Sequence, residues 1–270
     1  MYAGTTLRNK SGRLIGAHQK IDRVARRAVD AIDPGNNFPK IKQILHFEGK
    51  NGPDGIKRKS PAQDEPWHFY NPEDSGDDLL PQMIERHCKN LTAALRKNSV
   101  ERASFEAAWL AHAIVDGLTP AHHYPFEDKL VELRGGEGIE TRTSVKDKLI
   151  IRGPGDSHLK MLAKNWEFWG AKGVMTSHLL FELGIATAIA PMRLKAGYPN
   201  KADIRKLKRM GIVNVFKESA ADIHKLDMYH RFVAKGWTNR LANEVRDVLV
   251  PSIIKVVALA WYEALENSKQ

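Results

Sequence analysis

A single cysteine, Cys88, stands in the 270 residues. It excludes an intramolecular disulfide, and one thiolate cannot build a cysteine-based zinc site. Any metal must therefore be held by His and carboxylate side chains. Long apolar runs are also missing. No window offers the roughly 18 uncharged apolar residues of a membrane span. The nearest, Val248 to Leu265, carries Pro251, Lys255 and Glu263 and reads as a buried helix. The start, Met1 to Ala17, has no apolar core of signal-peptide length and no evident cleavage site, so a cytoplasmic location is expected. Alternating strand patterns, internal repeats and low-complexity tracts are absent too.

Acid is in short supply relative to base: 42 Lys and Arg face 32 Asp and Glu, a net charge of +10. Such a balance favours polyanionic partners, single-stranded nucleic acid or an anionic membrane surface, although a solvated basic face explains it equally well. Nothing in the sequence points to a protein partner. Apolar residues make up 42% and charged residues 27%, enough for an ordinary hydrophobic core without staples.

What is present is helical periodicity. It predicts helices over His18 to Ile32, stopped by Asp33-Pro34-Gly35, over Ile41 to Phe47, from a cap at Asp77 or Asp78 through Leu95, and over Glu101 to Leu118. Further helices are expected at Asp156 to Trp169, Val174 to Ile189, Lys201 to Arg209 and Asn239 to Glu266, the last interrupted at Pro251. Asn51 to Asp78, rich in Gly, Pro, Asp and Asn, reads as a long functional loop, and Lys129 to Gly155 as an insertion. The fold class is all-α: one multi-helix domain over 1–270 with long loops around a metal site.

His112 and Asp116 lie four apart on one helix, as do His178 and Glu182, and this spacing lets each pair share a cation. Their neighbours are apolar, and a charged pair inside an apolar helix needs a partner. Among 11 His, about one His-x-x-x-Asp/Glu match is expected by chance. The chain has four, His18/Asp22, His112/Asp116, His123/Glu127 and His178/Glu182. Taken alone, any one of them is more often a helix-surface hydrogen bond. Further donors accumulate nearby: His122 and His123 follow the turn Thr119-Pro120, His68 lies in Trp67-His68-Phe69-Tyr70, Asp54 lies 14 residues earlier, and His18 opens the first helix. Imidazoles mixed with carboxylates suit zinc better than calcium or magnesium. His46, His87, His158, His224 and His230 read as surface or satisfied polar residues. Trp166, Phe168 and Trp169 read as core, with lining of a substrate cleft as the alternative, and Lys201 to Arg209 reads as a solvated basic face. Asp22 is expected in a surface salt bridge.

The run Trp109-Leu-Ala-His112-Ala-Ile-Val-Asp116-Gly-Leu-Thr-Pro120-Ala-His122 resembles the superfamily of bacterial zinc-dependent phospholipases C and fungal single-strand-specific nucleases. His178-Leu-Leu-Phe-Glu182 is similar to its later His-x-x-x-Glu, and His68-Phe-Tyr-Asn-Pro to a motif of the phospholipase branch. His18 matches the early-helix His. The resemblance implies an all-α fold and a zinc cluster that hydrolyses phosphate esters. His68, His112, Asp116 and Asp54 would hold one zinc, and His122, His178 and Glu182 a second, with His123 the alternative to His122. His18 and bridging Asp116 would hold a third. Asp54 would also orient or deprotonate the attacking water. Two departures matter. The family completes its third site with a processed N-terminal Trp, and the first Trp here is Trp67, so two tight zinc ions and an incomplete third position are expected. Choline-selective members carry an aromatic after the loop Asp, where this chain has Gly55. Phospholipase C-like cleavage of a phosphodiester is the favoured expectation, a single-strand nuclease the alternative. A non-catalytic, metal-stabilised module binding nucleic acid or lipid is the rival of another class.

Overall fold

The last helix, α13 (Val250–Ser268), is apolar on nearly every face, and a helix of that kind has to be enclosed by others. It forms the axis of the molecule in the computed structural model, which describes residues 1–4 and 15–270. Around it pack α1 (Ala17–Ile32), α4 (Leu79–Arg96), α5 (Val100–Gly117) and α10 (Lys201–His224). Every regular element among the described residues is helical, so the fold is all-α. Trp261 of α13 is fully buried and its indole N–H donates to the Ala107 carbonyl of α5 at 2.9 Å. Truncating a buried aromatic of this kind costs about 3–5 kcal/mol. An 18-residue stretch within Asn239–Ser268 has a mean hydropathy of 1.7, enough by length and composition to cross a membrane, but 72% of that stretch is buried within the protein. This is a core helix.

The remaining elements follow the periodicity with instructive differences. α1 ends as expected at Asp33, just before Gly35, whose φ of +78° a side chain would strain. The segment 51–78 is more structured than a loop. It holds a short helix, α3 (Pro53–Lys57), and a 3-10 turn at Ala62–Asp64, because Gly52 and Gly55 let the backbone fold tightly onto residues 47–50. α6 (Phe126–Leu133) runs into the insertion from before its expected start at Lys129, and α7 (Val145–Leu149) lies within it. α8 (His158–Trp169) starts from Ser157, whose Oγ accepts from the Lys160 N–H, and α9 (Val174–Ile189) matches its expected bounds. The helix expected over Lys201 to Arg209 ends within two residues of that bound, and what was not expected is a second helical segment after it. Gly211 (φ 72°, ψ 161°) breaks the helical path, and Ile212, Val215, Phe216, Ala220 and Ile223 then resume the apolar stripe to His224. A further helix, α11 (Met228–Lys235), was not expected. The interruption expected at Pro251 is a π turn, Val245–Leu249, between α12 (Asn239–Glu244) and α13. Residues 5–14, within the start read for a signal peptide, lie outside the described residues.

A second, smaller hydrophobic cluster lies apart from the main core. Phe126, Leu130, Leu133, Ile151 and Phe168 form it. Only one side of α8 faces this cluster, and that corrects the expectation of an aromatic core there. Phe168 is buried, but Trp166 is 74% and Trp169 36% exposed.

Candidate metal centre

Asp116 is the hub. It sits near the end of α5, the helix whose Ala103, Ala107, Ala108 and Ala111 let its neighbours approach closely, and it is 1% exposed. Just beyond it, a Cβ at Gly117 would come within 2.5 Å of Leu80 and 2.6 Å of Phe216, so only glycine allows α4 and α10 to close over this end. Asp116 Oδ2 lies 2.6 Å from His68 Nδ1 and 3.1 Å from His112 Nε2. Its Oδ1 lies 3.2 Å from His18 Nε2 and 4.0 Å from His122 Nε2. Four imidazoles from four segments thus converge on one carboxylate.

The chain after α5 turns back as a 3-10 turn, Pro120–His123, and delivers His122 to the cluster. The segment carrying His68 clamps this turn. The Tyr70 N–H donates to the His122 carbonyl at 3.1 Å, and His122 Nδ1 lies 2.8 Å from the His68 carbonyl. A carbonyl only accepts, so Nδ1 carries a proton, and Nε2, 2.9 Å from Glu182 Oε1, is the nitrogen turned toward the site. From α9, His178 Nε2 lies 3.1 Å from the same oxygen. Donor atoms of His122, His178 and Glu182 all fall within 4.8 Å of one another. His123 points elsewhere. Its Nε2–H donates to the Gly117 carbonyl at 2.9 Å and its ring approaches His224, while Glu127 pairs with Arg142 rather than with His123.

Asp54, His68 and His112 make a second group within the same 4.8 Å limit. Asp54 Oδ1 lies 3.8 Å from His112 Nε2. α3 fixes it there, and Gly55 is obligatory: a Cβ would stand 2.0 Å from the Lys50 carbonyl oxygen. That overlap is the physical reason an aromatic cannot follow Asp54 in this chain. Asp54 is therefore held on a short helix rather than on a flexible loop.

His18, Glu48 and His112 form the third group. His18 stacks on His112 with ring centroids 4.2 Å apart. Glu48 was not anticipated; it is 64 residues from His112 and has no motif spacing to reveal it. One oxygen accepts from the Gly49 N–H at 3.0 Å and lies 3.1 Å from His112 Nδ1. Without a metal, Asp116 and Glu48 outweigh burial and raise the His112 pKa well above its usual range, so both ring nitrogens carry protons; a metal would displace only one of them, so His112 cannot serve both groups as a ligand. Donating Nδ1–H to Glu48 leaves Nε2 for the group containing Asp54, His68 and Asp116. This is the carboxylate–His arrangement that orients metal ligands. Asp22 is not in a surface salt bridge: it is buried beside Glu48, and burial together with that negative charge pushes its carboxyl well above the usual range. His46, His158 and His230 are exposed, and His87 is buried and satisfied by Glu106 at 2.5 Å.

The electrostatics suit a cation. Burial works against ionisation of Asp116, yet the Met1 ammonium, His122, His112 and His18 hold it well below the carboxylate range. The Met1 ammonium and His178 overcome burial in the same way at Glu182. His68 is held neutral, at about 3, by burial and by the nearby Lys57 charge. The Met1 amino group lies 2.5 Å from Asp116 Oδ1 and 3.0 Å from Glu182 Oε1. Despite burial, the carboxylates Asp116, Glu182 and Asp54 raise its pKa to about 10, so it is an ammonium. It stands as a cation between the two carboxylates, a position not expected for the start of the chain. Around it, among the described residues, both ring nitrogens of His18 and the Nε2 atoms of His68 and His112 are buried without a well-directed hydrogen bond. Buried polar atoms are normally paired, and unpaired imidazole nitrogens around a buried carboxylate fit a bound metal ion. The donor set of nitrogens and carboxylates can hold one.

No protein-family model, no curated protein and no solved structure matches this chain.

Proposed function

We propose that this protein is a zinc-dependent hydrolase of phosphate esters, with phospholipase C-like cleavage of a phosphodiester favoured. The observation that carries the reading is Asp116, buried in the apolar core and shared by four imidazoles, with a second His-His-Glu group beside it. The ordered resemblance of the His112–His122 run, His68-Phe69-Tyr70 and His178–Glu182 to the zinc phospholipases and nucleases points the same way. Asp54, His68, His112 and Asp116 would hold one zinc, and His122, His178 and Glu182 a second. His18, with Asp116, borders a third position. Nitrogen-rich donors with carboxylates favour zinc over hard, oxygen-seeking cations. When bound, zinc supplies Lewis acidity toward a phosphoryl group and the water beside it.

The chain's own residues do the rest. Asp54 is the most open member of the set, its side chain 24% exposed, and His112 keeps its carboxyl ionised against the penalty of burial. It is placed to orient or deprotonate an incoming water. Lys57, three residues on, puts its ammonium over the Phe69 ring at 5.8 Å and supplies positive charge where a phosphate would arrive. The cavity beside His68 has a volume of about 440 Å³, with Trp67, Phe69, Phe126, Leu130 and Ile139 among its walls. An apolar substituent on the phosphate suits these walls, which favours a lipid ester over a nucleic-acid strand.

The test is metal content per chain, measured with turnover on a short-chain phospholipid, single-stranded DNA and a chromogenic phosphodiester. Close to two zinc ions after dialysis, phospholipid turnover lost on chelation and turnover restored by zinc are expected. DNA cleavage alone would give the nuclease reading. Binding that survives chelation, with no turnover of any substrate, would make this a binding module.

A further inference from the structure

The three most exposed large apolar side chains among the described residues all lie on α8: Leu159 at 80%, Trp166 at 74% and Leu162 at 62%. Positions 159, 162 and 166 are spaced i, i+3 and i+7, so they form one ridge along the helix. Ala163, also exposed, continues it. An amphipathic helix normally turns such a stripe inward. Here the inward side holds Phe168 and the ridge faces out.

We propose that this ridge docks α8 onto an anionic lipid membrane, laying the helix in the interface with Leu159, Leu162 and Trp166 immersed. Three observations choose a membrane over other occupants. Charge on and beside α8 is net positive, with Lys160, Lys164 and Lys172 against Asp156 and Glu167: the covered Asp156 carboxylate pairs with both Lys164 at 2.6 Å and Lys160 at 3.4 Å, Glu167, 51% exposed, pairs with Lys129 at 2.9 Å, and Lys172, just past the helix, is exposed. The whole chain carries +10, which adds long-range attraction to an anionic surface. Three large side chains and Ala163 make a narrow ridge, whereas a stable protein interface takes roughly 800 Å² and about 20–30 residues per partner. A lipid surface needs no matching shape, and an exposed Trp beside Leu with flanking Lys is the make-up of an interfacial helix. Trp169, on the same side of α8, also lines the apolar cavity that reaches His68. The docking face and that cavity are therefore continuous.

The inference stands on exposure and charge and is read without turnover, so its failure and that of the proposed hydrolysis are distinguishable. The full chain is floated with vesicles of phosphatidylglycerol and phosphatidylcholine (30:70) and with phosphatidylcholine alone. Flotation with the anionic vesicles, weakened by salt, is expected. The double variant Leu162→Ala/Trp166→Ala should lose at least tenfold in vesicle affinity with an unchanged melting temperature. Lys160→Glu/Lys172→Glu should remove the preference for anionic vesicles. Absence of flotation, or equal flotation of the Leu162/Trp166 variant, overturns the proposal. So does light scattering that finds a dimer abolished by that variant without vesicle binding, which would make a second copy the occupant. Single-stranded DNA binding lost in the same variant, again without vesicle binding, would assign the ridge to nucleic acid.

Discussion

α5 and α8 depart from the ordinary rule of packing in opposite senses. α5 takes His112 and Asp116 into the apolar centre of the molecule, where their side chains are 3% and 2% exposed. α8, on the smaller cluster at the edge, puts Leu159 and Trp166 into solvent at 80% and 74%. Burying ionisable groups costs stability unless they are paired or bind an ion, and exposing a contiguous apolar ridge contributes nothing to a monomer's stability. Neither arrangement is what folding alone would select. The first fits the metal centre proposed above, and the second the proposed docking surface. The elements that obey the rule, such as α1 and α13, carry no such signal.

The sharpest way to break the comparison is Asp116→Ala. Loss of the shared carboxylate should remove bound metal and lower turnover on the order of a hundredfold or more. Stripping the metal from the wild type should also lower its melting temperature, because metal binding contributes to folding. Full metal content and turnover in the variant would mean that the buried charges of α5 serve another purpose. Glu48→Gln tests the positioning of His112 and should weaken metal affinity by roughly 10- to 100-fold. Equilibrium dialysis against a competing chelator reads this, and unchanged affinity would separate Glu48 from the centre.

On α8 itself the two sides should differ. Phe168→Ala removes the buried aromatic of the smaller cluster and is expected to destabilise by about 3–5 kcal/mol in denaturant unfolding. Leu159→Ala, on the exposed ridge, should fall within about 0.5 kcal/mol of the wild type. Similar costs at both positions would mean that the ridge is covered.

The smallest expected effect concerns His123, which packs beside the cluster without joining it. Burial lowers its pKa from 6.5 to about 4. The folded state therefore binds its proton less readily than the unfolded chain. Its contribution to stability is present above pH 6.5 and is lost as the pH falls toward 4. In metal-free protein, His123→Gln should flatten the fall in melting temperature over that window, and superimposable wild-type and variant curves would refute the assignment.

Helix positions were legible because apolar spacing is a local property. α9 was anticipated to the residue, and the His-x-x-x-Asp and His-x-x-x-Glu pairs are local to one helix each. The helical segment from Ile212 to His224 was missed because Gly211, with positive φ, ends one helix and a second starts directly after it with no loop residues between to mark it. α3 was missed because Gly52 and Gly55 look like loop residues until the backbone they must pass is known.

The sequence by itself determined an all-α chain, the donor types available to a metal and the two helical pairs that supply half of the expected ligands. Only the tertiary structure put His122 rather than His123 beside His178 and Glu182, since the clamp between His122 and the segment 68–70 joins positions more than 50 residues apart. It also brought Glu48 to His112 and the Met1 amine to Asp116, contacts that no spacing encodes. And it turned Trp166 outward. An aromatic's fate depends on whether another element covers its side of the helix, and that is set by how the whole chain packs rather than by the residues around it.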